Sequence, residues 1–134
     1  MLIAELSADP ATVPLRAFGY VSVPTVPFSD RDLSDLLLAA RAVNARLDAT
    51  GKLVVLEEGG RVVRFAQWIE ASGLSLDVCR RRIVEDPRHA IVSVSFEGPI
   101  LERRFHGWDM ACQPVGETAF ATASGPLLRA ASPP

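Results

Sequence analysis

Two β-rich runs, Leu53-Val54-Val55-Leu56 and residues 61–69, are separated only by Glu57-Glu58-Gly59-Gly60. Paired glycines between such runs signal a hairpin, because the tight turns that match strand twist need positive φ, which glycine adopts without steric cost. A hairpin fixes two antiparallel neighbours in one sheet, and the rest of the chain has to be arranged around it. A helix signal stands on each side. Upstream, Ser29 is a good N-cap with Asp32 three residues on, Phe28 can staple onto Leu33, and Thr50-Gly51 closes the segment, which predicts a helix over 30–48. Downstream, Leu76, Cys79 and Ile83 recur at helical spacing and Pro87 stops the run, which predicts a second helix over 74–86.

The remaining strands flank these units. A first strand is expected over 15–22, followed by a loop holding Pro24 and Pro27. A fourth is expected over 90–96, where Val92, Val94 and Phe96 alternate with Ser93 and Ser95, and Gly98-Pro99 then turns the chain into a last strand over 100–106. The order β-α-β-β-α-β-β is that of an α+β, ferredoxin-like sandwich with one added strand: one mixed sheet and two helices on one face. At 134 residues one domain fits, here 15–110. Residues 1–14 read as a leader, and 111–134, rich in Ala, Pro, Ser and Gly, as a tail that either holds one or two short helices, around 115–123 and 127–131, or is partly disordered.

Composition excludes several functions. A chain 49% hydrophobic with a net charge of −2 is expected to be soluble and globular, and a general nucleic-acid binder would be strongly basic. Cys79 and Cys112 lack metal-ligand spacing, and His89 and His106 stand far from other ligand types, so no metal site is expected. With no signal-peptide pattern and no apolar stretch of membrane-spanning length, the expected location is the cytoplasm.

Three polar residues then break the apolar pattern. Gln67 shares a period-two face with Val63, Phe65 and Ile69, Asn44 sits on the helical stripe of Leu33, Leu37, Ala40 and Leu47, and Tyr20 ends the short run from Phe18. Buried amides and phenols are costly unless paired, so the three point to a common polar partner in the core. The groove between two helices on one sheet face is a natural place for it.

The pieces Tyr20-Val21-Ser22, Asn44-Ala45-Arg46 with Thr50-Gly51, Gln67-Trp68-Ile69-Glu70, Arg82-Ile83 with Asp86-Pro87-Arg88-His89, and Arg103-Arg104-Phe105 with Gly107-Trp108-Asp109-Met110 follow one another in order. Together they resemble the BLUF family of blue-light sensors that use flavin. The resemblance implies a flavin, FAD with FMN as the alternative, bound non-covalently between the two helices. It implies that Tyr20 donates an electron and a proton to the excited flavin, and that Gln67 bridges the Tyr20 hydroxyl to flavin N5 and C4=O. Asn44 would bond the C4=O and N3–H edge and Arg82 would reach the C2=O side, with Asp86, Arg88 and His89 as further contacts. Trp108 and Met110 would relay the rearrangement of Gln67 to a downstream effector protein or to a second copy of the chain. No reaction is turned over on this reading, and neither nucleic acid nor membrane is a partner.

Three departures from the family pattern stand out: a longer hairpin before Gln67, Ala71 in place of a glycine, and Ala40 in place of a serine. The longer hairpin and Ala71 support a second reading, a light-insensitive relative kept as a protein-interaction module. A third, a small ferredoxin-like enzyme of acylphosphatase type, wants a glycine-rich phosphate loop opening a helix, and none is present. Arg103-Arg104 reads as exposed charge and Cys79 as a small core residue near the flavin.

Overall fold

The computed structural model describes residues 14–106, 108–109, 114–115 and 117–128. The hairpin forms as expected: β2 (Thr50–Glu58) and β3 (Arg61–Ser72) are antiparallel, with Glu58 opposite Arg61. Gly59 and Gly60, at φ 58° and 77°, make the two-residue turn between them, and the tip stands in solvent. Both strands run further than the apolar runs alone suggest. Thr50 and Gly51 continue the ladder against Glu70 and Ile69, and β3 passes straight through Ala71 to Ser72. Gly51 permits this close approach, since a Cβ there would lie 2.0 Å from the Trp68 carbonyl oxygen.

Around the hairpin lie β1 (Leu15–Pro24), α1 (Asp30–Arg46), α2 (Gly73–Glu85) and β4 (His89–Pro99). Helix α1 begins on the Ser29 capping box: Asp32 N–H donates to Ser29 Oγ at 3.2 Å, and Ser29 N–H donates to Asp32 Oδ2 at 3.0 Å. Two short strands, β5 (Trp108–Asp109) and β6 (Pro114–Val115), add in parallel to β2. The main sheet order is β4-β1-β3-β2-β5, a mixed sheet with β1 and β3 at its centre.

Alternation along the strands sorts the core into two faces. On one, Phe28, Leu33, Leu53, Val55 and Phe65 pack with the α1 stripe of Leu36, Leu37 and Ala40, while Phe18, Tyr20, Ile69 and Ala71 pack with Leu76 and Cys79 of α2. On the other, Ala17, Val54, Leu56, Ala66 and Trp68 meet Phe120 from α3 (Glu117–Leu128). Among the described residues the tail carries one helix, and it covers part of the sheet face opposite α1 and α2.

The expected strand over 100–106 is not formed. Strand β4 extends to Pro99, and 101–106 are bends and loop. The reason lies in hydrogen-bond accounting. The backbone N–H groups of Arg104 and Phe105 donate to the Glu70 carboxylate, at 3.0 and 2.7 Å, instead of to a neighbouring strand.

Candidate functional site

A cleft with a cavity of about 140 Å³ opens between α1 and α2, with β1 and β3 as its floor. Tyr20 and Gln67 are direct partners across the β1/β3 pair, so their side chains rise from the same face side by side. The Tyr20 hydroxyl donates to Gln67 Oε1, and both residues are buried, at 4% and 6% exposure. Burial first, and the nearby Asp86 charge second, hold the phenol above its ordinary pKa of 10.0. It therefore remains a donor through neutral pH, and the Gln67 oxygen is committed to accepting from it.

That commitment leaves the Gln67 NH2 for the cleft, with no protein partner among the described residues. Asn44 repeats the arrangement from α1. Its Oδ1 accepts from the Cys79 thiol at 3.8 Å, and its NH2, on a residue 6% exposed, also lacks a protein partner among the described residues. A buried amide left unpaired costs about 1–3 kcal/mol, so two of them lining one cleft fit a ligand that brings acceptors. The walls beside them are apolar, from Phe28, Leu36, Ala40, Val43, Leu53, Phe65, Ile69 and Ile83. Apolar walls with a few convergent polar groups suit a planar heteroaromatic ring.

The residues at the α2 end of the cleft divide into two groups. Asp86 and Arg88 form a forked pair, with Nε to Oδ1 at 2.9 Å and Nη2 to Oδ2 at 2.6 Å, and the guanidinium holds the Asp86 carboxyl below the usual carboxylate range. Arg82 lines the cleft from the exposed side of α2, and Asp86 is taken by Arg88 and not by Arg82 one turn earlier. His89 lines the cleft with both ring nitrogens engaged: Nδ1 lies 2.7 Å from Ser22 Oγ and Nε2 2.6 Å from the Ile83 carbonyl. A carbonyl only accepts, so Nε2 carries a proton toward Ile83, and in the neutral ring Nδ1 is then the acceptor for the serine hydroxyl. His89 is a wall of the cleft, edge-on to Tyr20 at 6.0 Å between ring centres.

Trp108 sits on β5, its backbone beside Gly51, and Met110 lies outside the described residues. Three residues gain roles that the sequence reading missed. Glu70 is fully buried and accepts from Trp68 Nε1 at 2.9 Å and Thr50 Oγ1 at 3.2 Å, besides the two backbone groups of the following loop. Arg103 and Arg104, read as exposed charge, are built into the structure. Arg103 donates to Thr50 Oγ1 at 2.7 Å and to the Asp48 carbonyl at 3.0 Å, while the Arg104 guanidinium lies 3.9 Å over the Trp68 ring. The available signal was the period-two face: Glu70 shares it with Trp68, an inward position.

A cleft of this chemistry on this sheet suits a flat aromatic cofactor lying between two helices. Over residues 15–111 the chain matches the BLUF family, described as sensors of blue-light using FAD, and it belongs to that family. The dark-state structure of the BLUF protein BlrB is similar, with a TM-score of 0.66 and 28% identity over 86% of this chain and 82% of that one. Klebsiella pneumoniae BlrP1 with FMN and cyclic diGMP gives a TM-score of 0.64 at 28% identity, over 81% of this chain and 28% of that one. A bacterial light-regulated adenylyl cyclase shares the fold at a TM-score of 0.61 and 21% identity, over 78% of this chain and 29% of that one. No curated protein matches the chain.

Proposed function

We propose that the blue-light switch of this protein is the Tyr20–Gln67 pair, acting on FAD held between α1 and α2. The observation that carries the reading is the state of Gln67, which lines the cleft: its oxygen accepts from the Tyr20 hydroxyl, and its NH2 has no protein partner among the described residues. When bound, the flavin supplies blue-light absorption and an excited state that accepts an electron. Tyr20 gives up an electron and, along its bond to Gln67, a proton. Both return to Tyr20, and Gln67 is left with its amide reversed. An amide suits this step because it carries donors and an acceptor and can exchange their places by rotation or tautomerisation.

Asn44 and Gln67 hold the polar edge of the ring. Arg82, Asp86, Arg88 and His89 shape the end of the cleft toward the rest of the cofactor. FAD is favoured by the family description, and FMN, present with BlrP1, is the alternative. The reversed amide biases a two-state population, and the output passes through Trp108, on β5, and through Met110 to an effector protein in trans or to a second copy of the chain. The reading makes the protein a cytoplasmic sensor with no turnover of its own. Among the described residues no helix is long and apolar enough to cross a membrane.

Absorption spectra before and after blue light test this directly. The wild type is expected to be yellow and to show a small reversible red shift. Tyr20→Phe and Gln67→Leu are expected to stay yellow and lose the shift. A variant that still cycles normally would remove that residue from the switch.

A further inference from the structure

Asn44 can present either its carbonyl or its NH2 to a ligand, and the two presentations select opposite partners. Nothing on its own helix decides between them, since the α1 residues that line the cleft beside it, Ala40 and Val43 among them, are apolar. The deciding contact comes from α2. Cys79, 3% exposed and without a disulfide, reaches Asn44 Oδ1 with its sulfur at 3.8 Å, and it lines the same cleft. An amide oxygen is a good acceptor and a thiol sulfur a weak one, so a neutral S–H prefers the oxygen and disfavours the flipped amide. Burial pushes the Cys79 thiol up to about 11, so it keeps its proton across the neutral range. Gln67, lining the same cleft, independently has its oxygen taken by Tyr20, so the donor side of each amide is the one left for a ligand.

We infer that Cys79 is a positioning residue that sets the polarity of Asn44: its S–H holds Oδ1, and the Asn44 NH2 is turned to donate to a carbonyl oxygen of the flavin ring. The inference rests on the flavin reading of the cleft. It gives α2 a second part in cofactor recognition, beside Arg82, through a residue whose spacing marked it as core packing. Serine in this place keeps a donor, whereas alanine removes it and leaves the amide free to turn.

The test compares wild type, Cys79→Ser and Cys79→Ala by titrating apoprotein with FAD and by recording the carbonyl stretching bands of the bound flavin. Cys79→Ala is expected to bind FAD roughly five- to tenfold more weakly, the effect of one ordinary hydrogen bond, and to shift a ring carbonyl band to higher frequency. Cys79→Ser is expected to stay near the wild type in both. Unchanged bands and affinity in Cys79→Ala would overturn the role of the thiol, as would equal losses in both variants, which would mark Cys79 as packing alone. A wild type that takes up no flavin would overturn the reading of the cleft itself, and the clamp with it, before any variant is compared.

Discussion

Replacing Glu70 with Gln is expected to destabilise the protein by about 2–4 kcal/mol, although it changes size hardly at all. The carboxylate is fully buried and accepts four hydrogen bonds, two on each oxygen. Oε1 takes the Phe105 N–H at 2.7 Å and the Thr50 hydroxyl at 3.2 Å, and Oε2 takes Trp68 Nε1–H at 2.9 Å and the Arg104 N–H at 3.0 Å. A glutamine keeps one oxygen and turns the other into an NH2 group. In either orientation that NH2 opposes at least one backbone N–H that has no freedom to reverse, from Arg104 or from Phe105. One or two bonds are lost with the donor left facing a donor, at ~1–3 kcal/mol each, and the bonds that remain lose the strengthening a negative acceptor gives. Urea unfolding followed by tryptophan fluorescence measures the outcome. At an m-value of ~2 kcal/mol/M the midpoint should fall by about 1–2 M. Trp68→Phe supplies the control: with the indole donor gone, the cost of Glu70→Gln should shrink in the double variant, because the two changes share a partner. A midpoint change under about 0.3 M for Glu70→Gln, or strict additivity of the pair, would show that the buried carboxylate does not anchor the loop as argued.

Tyr20 is the single tyrosine of the chain, so phenolate absorbance reads it alone. Its pKa lies above 10.0 in the folded state because of burial and then Asp86, so the unfolded chain loses its proton first. Stability from this group is complete below about pH 10 and declines as pH rises from there toward the folded value. The absorbance titration should therefore begin only beyond pH 10 and coincide with unfolding, and a simple titration centred near 10 would place the phenol outside the buried pair. Gly51→Ala is expected to cost more than ~2 kcal/mol, since its Cβ would sit 2.0 Å from the Trp68 carbonyl oxygen and 3.0 Å from Ile69 Cα, both backbone. The melting temperature should fall by at least about 6 °C, and a wild-type value would mean that β2 can shift away from β3 without penalty.

Much of the architecture was legible because it is written in short-range terms. Gly59-Gly60 states the turn, Ser29 and Asp32 state the start of α1, and Pro87 states the end of α2; each acts over a few residues through the backbone. The strand expected over 100–106 failed for the opposite reason. It was expected from the Gly98-Pro99 turn, but its backbone donors were claimed by Glu70, which lies 34 and 35 residues earlier. Pattern reading counts which side chains can face inward and cannot see that a distant carboxylate will outcompete a neighbouring strand for the same N–H groups.

The same asymmetry separates the readable from the unreadable parts of the site. Tyr20, Asn44 and Gln67 stood out because each is uncharged and polar in an apolar series, and an uncharged polar group in that setting is anomalous whatever surrounds it. Glu70 sits in an equally inward position, one turn of the alternation after Trp68, yet a carboxylate reads by default as solvated because isolated buried charge is so unfavourable. Its burial is made tolerable by donors from Thr50 on the adjacent strand and from the loop at 104–105, none of which is local to it. Cys79 was hidden in another way: its spacing on α2 describes a core residue correctly, and it is one, with Leu76 and Ile69 as neighbours in the same cluster. What spacing omits is direction. The thiol turns toward Asn44 across the cleft, so a residue can be ordinary packing by position and still decide the chemistry that an opposite helix presents.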